Sequence, residues 1–284
     1  DYGVDDFEIH NEPDNRQQGW GGSQNDYFAL ADVTEDAVRY VYETYLPGRE
    51  FYLHGPKSTG GSSWPVASLR QMPEAFSAIN VHNYDLDVIP YIQKVRAWMR
   101  GTIHETSPIW LGEWGTYTEG YTDLSFSLNL LQNMADMSRP GDGYVYGSHL
   151  FSLYDWGNFF EGLIGPNDSR RLSYYAFRMG IRALQGGKPI LKTLINGENA
   201  TLLTAITTMS ENGDVNLLMI NEKATDQILN IDASELEIST GVIRAFNETY
   251  LDEIFQSITL DNGKIQLNIP SQTAFLITLE KLEE

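Results

Sequence analysis

Phe7-Glu8-Ile9-His10-Asn11-Glu12-Pro13 and, further along, Ile109-Trp110-Leu111-Gly112-Glu113-Trp114-Gly115 decide how this chain is read. Each stretch begins as a run that reads as a buried strand, and each ends on a glutamate. Gly, Pro or Asn and then a helical pattern follow. A carboxylate in that place projects from the carboxyl end of a parallel strand, where barrel folds gather their reactive groups.

Outward from these two stretches, residues up to about 187 alternate strand and helix patterns, the mark of a parallel α/β architecture. The strands expected are Asp6 to His10, Glu50 to His54, Ala78 to His82, Ile109 to Glu113 and Tyr144 to Leu153. Helices are expected over Thr34 to Tyr45, Pro65 to Phe76, Ile89 to Arg100, Leu124 to Ser138 and Ser173 to Leu184. Their apolar residues recur at three and four, as in Leu124, Leu128, Leu131 and Ala135.

Around Gly186-Gly187-Lys188-Pro189 the texture changes, and alternating runs replace helical periodicity. Asn212-Gly213 and Asn262-Gly263 each sit between such runs, and Asn-Gly is the strongest short hairpin signal. The predicted fold class is α/β: a parallel α/β part over 1–187, then an antiparallel β-sandwich over 188–284.

A formal net charge of -20 repels nucleic acid and anionic membranes, so neither is an expected partner. With no cysteine, disulfides and thiolate metal sites are excluded. No apolar run reaches the ~18 residues needed to span a bilayer. The 16 Tyr, 12 Phe and 6 Trp suffice for a core and suit sugar stacking as well.

Asn11-Glu12-Pro13, His82-Asn83-Tyr84, Gly112-Glu113-Trp114 and the late Trp156 together resemble the clan A glycoside hydrolases, with a lean toward families 30, 39 and 86. The resemblance implies a (β/α)8 barrel that hydrolyses β-glycosidic bonds of an oligosaccharide or polysaccharide with retention and needs no cofactor. In that clan an Asn-Glu pair ends strand 4 and the second glutamate ends strand 7. The five strands placed above then correspond to strands 4 to 8. Strands 1 to 3 are missing, which implies a fragment completed by an N-terminal barrel segment of the same gene product. A secreted or periplasmic location is expected.

By the same resemblance, Glu12 is the acid/base and Glu113 the nucleophile. Retention needs the two carboxyls ~5–5.5 Å apart. Asn11 is expected to bond the sugar 2-hydroxyl, Tyr84 to orient Glu113, and His82 to line the pocket floor. Trp156 is the candidate sugar platform, with Trp114 and Trp20 as weaker outer contacts. His54 and His149 stand open between pocket and core. Two other readings stay open. One is a metal-dependent barrel hydrolase using His54, His82 and Asp155, although no His-x-His or His-Glu-x-x-His motif supports it. The other is a relative that binds carbohydrate without turning it over.

Overall fold

The computed structural model describes residues 5–72, 74–84, 87–115, 122–155, 162–184, 188–194, 203–236 and 238–281. The chain divides into two compact units. Asp1–Gly115 with Pro140–Phe151 forms one, and Thr116–Arg139 with Ser152–Glu284 the other.

The first unit holds a five-stranded parallel sheet: β1 (Asp6–Glu8), β2 (Tyr52–Ser58), β3 (Ala78–Asn83), β4 (Ile109–Trp114) and β5 (Gly147–Leu150), in that spatial order. Helices α1 (Gln24–Tyr45), α2 (Trp64–Gln71) and α3 (Ile89–Met99) follow the first three strands. Parallel neighbours need such crossovers, because a tight turn cannot return the chain to the same end of the sheet. The sheet is a parallel half-barrel. Tyr27, Phe28 and Ala31 of α1 pack on Leu53 of β2 and on Phe76. β3 is buried along its whole length, as expected for the middle of such a sheet.

Helix α1 starts ten residues before the predicted Thr34, at Gln24. Ser23 and Asp26 form a capping box there, each side chain taking the other's backbone N–H. That Ser-x-x-Asp signal lies within the sequence. β1 is shorter than predicted, ending at Glu8, and β2 runs on to Ser58.

In the second unit, α4 (Asp123–Ser138) and α5 (Leu172–Leu184) belong with the antiparallel strands. These are β6 (Ile190–Leu191), β7 (Thr204–Met209), β8 (Val215–Asn221), β9 (Gln227–Asp232), β10 (Ile238–Phe246), β11 (Leu251–Thr259), β12 (Lys264–Ile269) and β13 (Thr273–Lys281). One sheet has the order β11-β10-β13-β8-β7-β6, and β12 pairs with β9 in a second. Among the described residues the parallel strands end at Leu150 and the antiparallel ones begin at Ile190, while α4, earlier in the chain, groups with the later strands.

Alternation explains the layering. Leu217 and Met219 of β8, with Phe275 and Ile277 of β13, face a core shared with Leu267 and Ile269 of β12. Their neighbours Leu218, Ile220, Ala274 and Leu276 point the other way, onto Leu124, Leu128, Leu131 and Ala135 of α4 and Met179 of α5. Covered on both faces, β8 has no exposed residue.

Asn212-Gly213 joins β7 to β8 as a hairpin, as predicted. Asn262-Gly263 needs a correction. Both residues adopt the left-handed turn conformation, at φ 49° and 76°, but β11 lies in the six-stranded sheet and β12 pairs with β9 in the other. Turn chemistry is local, whereas the choice of strand partner follows the apolar faces to be buried.

Candidate active site

The site is built where β3 and β4 end. Val81 of β3 pairs with Leu111, but the next residue, His82, pairs with Glu113 rather than Gly112. β4 also carries one residue more than β5 over the same stretch, since Leu111 pairs with Ser148 and Trp114 with Leu150. Such a bulge re-aims the side chains beyond it. Gly112 permits it, because a Cβ there would lie 2.3 Å from Asn80 Oδ1.

Glu12 arrives differently. It stands four residues beyond the end of β1, with a left-handed φ of 44°. Its N–H donates to the Lys57 carbonyl at 2.8 Å, and its own carbonyl accepts from the Asn15 N–H at 2.9 Å. The second bond closes a turn over Glu12-Pro13-Asp14-Asn15, in which Pro at the second position is favoured. The Asp14 carboxylate takes the Thr59 N–H at 3.1 and 3.2 Å and its hydroxyl at 2.5 Å, tying the turn to the end of β2.

His82 joins the two glutamates. Its Nδ1 lies 2.9 Å from Glu12 Oε1 and 3.4 Å from Glu113 Oε2. One atom from each of the three residues falls within 4.8 Å of the others, so the two carboxylates face each other across a short gap. The Tyr84 hydroxyl donates to Glu113 Oε2 at 2.5 Å, a charge-assisted bond of the strong kind. Asn15 Nδ2 donates to Glu12 Oε2 at 2.9 Å. Glu12 is 6% exposed, and His82 is fully buried.

The structure therefore brings Glu12, Glu113, His82 and Tyr84 together. Asn11 lies next to them in the chain, and its Oδ1 is buried without a hydrogen-bond partner among the described residues. Trp114 is only 2% exposed and leaves no open ring face. Trp20 packs edge-on against His10 and Tyr27. Trp156 lies outside the described residues. Asn15 was missed by sequence reasoning. Its signal is spacing: the fourth residue of a turn begun at Glu12 can fold its side chain back onto the first.

His54 is buried on β2, bonded to Asp6 at 2.9 Å and tilted against Trp110 with ring centroids 4.9 Å apart. Burial outweighs the Asp6 carboxylate and holds its pKa below the ordinary 6.5. His149, on β5, is exposed. Burial opposes ionisation of Asp155, but bonds from Arg171 and the Gly162 amide prevail and hold its carboxyl below its ordinary value. Among the described residues, the one group of three able to hold a metal is Glu12, His82 and Glu113. The set expected for a metal hydrolase, His54, His82 and Asp155, is not the set that converges.

No protein-family model and no curated protein matches this sequence. Solved structures do. A glucosidase from Croceicoccus marinus superposes with a TM-score of 0.76 at 13% identity, covering 97% of this chain and 69% of that one. A family 30 subfamily 8 xylanase from Clostridium acetobutylicum gives 0.70 at 14%, covering 97% and 66%. A family 39 β-xylosidase from Caulobacter crescentus gives 0.70 at 17%, covering 96% and 66%. The chain shares the fold of these structures over almost its whole length. It spans about two thirds of the length of these glycoside hydrolase structures. No helix among its described residues is long and apolar enough to cross a membrane.

Proposed function

We propose that this chain is the catalytic part of a retaining glycoside hydrolase acting on a β-linked oligosaccharide or polysaccharide, with xylan-type substrates the first to test. The observation that carries the reading is the approach of Glu12 and Glu113 to within 4.8 Å, in keeping with the ~5–5.5 Å carboxyl separation of retaining enzymes.

In the first step a Glu113 oxygen attacks the anomeric carbon. The bond to the leaving oxygen breaks as Glu12 hands that oxygen its proton. In the second, Glu12 takes a proton from water, whose oxygen attacks the same carbon and releases Glu113. Tyr84 holds the nucleophile in line, and His82 fixes the distance between the two carboxylates. Asn11 Oδ1, which has no partner among the described residues, is placed to accept a hydrogen bond from the sugar 2-hydroxyl. The antiparallel sheets, sharing one core, serve as an accessory β-sandwich. A further segment of the same gene product completes the barrel, and a secreted or periplasmic location suits a polysaccharide substrate.

Glu113→Ala in the completed protein is expected to abolish turnover, and azide to restore it with formation of the inverted glycosyl azide. Near-normal turnover in that variant would refute the assignment. Glu12→Ala is expected to slow substrates with poor leaving groups by ~10²–10⁴-fold and to spare the cleavage of activated aryl glycosides.

A further inference from the structure

We propose that Asn15 is a positioning residue that fixes the carboxylate plane of Glu12. The inference rests on the reading of Glu12 as the acid/base. The Asn15 amide has one orientation, because its Oδ1 accepts the Gln17 N–H at 3.1 Å. Its NH₂ therefore faces Glu12 Oε2, at 2.9 Å. With His82 on Oε1, the carboxylate is held at both ends.

Each carboxylate oxygen has two lone-pair directions, so both oxygens can accept a further bond. Without Asn15 the group pivots about the His82 contact, and Oε2 loses its fixed direction toward the substrate oxygen. Asn15 keeps Oε2 pointed where a substrate oxygen or the attacking water must meet it in both steps. The turn that carries Glu12 does not depend on the Asn15 amide group, because it is closed by backbone atoms and anchored by Asp14 to Thr59.

The test compares wild type, Asn15→Ala, Asn15→Asp and Glu12→Gln in the completed protein. Asn15→Ala is expected to lower kcat on substrates with poor leaving groups about 10-fold with KM nearly constant, and to lower Tm only slightly, through loss of the acceptor for the Gln17 N–H. Asn15→Asp replaces the donor with a negative acceptor and is expected to move the basic limb of the pH–rate profile upward. Wild-type kcat and pH profile in both variants, with Glu12→Gln inactive, overturn the proposal. If wild type and Glu12→Gln are equally inactive, the glycosidase reading is what fails, and carbon NMR titration of the Glu12 carboxyl then decides. An upward move of its midpoint in Asn15→Asp supports the contact, and an unchanged midpoint overturns it.

Discussion

Glu113 stands opposite His82 because β4 holds one residue more than β3 between their paired positions. The extra residue is Gly112, and only a hydrogen fits where its side chain would meet Asn80. Gly112→Ala is therefore expected to lower stability by about 1–3 kcal/mol, as overpacking does, and to cost activity by turning Glu113 away. Differential scanning calorimetry and kinetics together check this. An unchanged Tm with full activity would show that the bulge tolerates a methyl group.

Tyr84 and Glu113 make a short hydroxyl-to-carboxylate bond, 2.5 Å long. Bonds to charged groups contribute ~1.5–3 kcal/mol, so Tyr84→Phe is expected to reduce kcat/KM by roughly 10- to 100-fold. The ring that packs edge-on against Phe151 is kept in the variant, and its Tm should move little. Loss of activity together with loss of folding would assign Tyr84 to the core instead.

Asp252 is 1% exposed, accepts a hydrogen bond from Arg178 Nε at 2.6 Å and forms an ion pair with Arg182, whose Nη1 lies 3.1 Å away. It is one of two extra residues in β11, the other being Phe255, and has a left-handed φ of 56°. Removing its charge leaves two guanidinium groups without their partner. Asp252→Ala is expected to destabilise the protein by about 3 kcal/mol in urea unfolding, discounted for the partial exposure of both arginines. A change under half that size would show that the arginines find water instead.

His54 carries a pH dependence whose sign is fixed by burial. Its folded pKa lies below the ordinary 6.5, so between the two values the unfolded chain binds a proton that the folded one refuses. Stability should then fall as pH drops from about 6.5 toward the folded value, and level off below it. The urea midpoint measured across that window in wild type and His54→Gln checks this. The variant is expected to lose that part of the slope.

Chelation is expected to leave activity intact. Nδ1 of His82 is the nitrogen aimed at Glu12, 2.9 Å away, and that contact engages the nitrogen that a metal shared with the two glutamates would take. Activity lost to a chelator and restored by zinc would revive the metal-hydrolase reading.

The order of strands and helices, both glutamates, the Asn212-Gly213 hairpin and the apolar stripe of α4 were legible in the sequence. These depend on periodicity and turn preference among residues close in the chain, and so does the missed start of α1 at its Ser23–Asp26 cap. Tertiary structure alone decided that Gly112 forms a bulge, that His82 falls between the two carboxylates, that Trp114 is buried, and that Asn262-Gly263 turns the chain from one sheet to another. Each of those outcomes depends on which distant segment comes alongside, and a strand's partner is selected by the apolar area the pair can remove from water, a quantity that no local stretch contains.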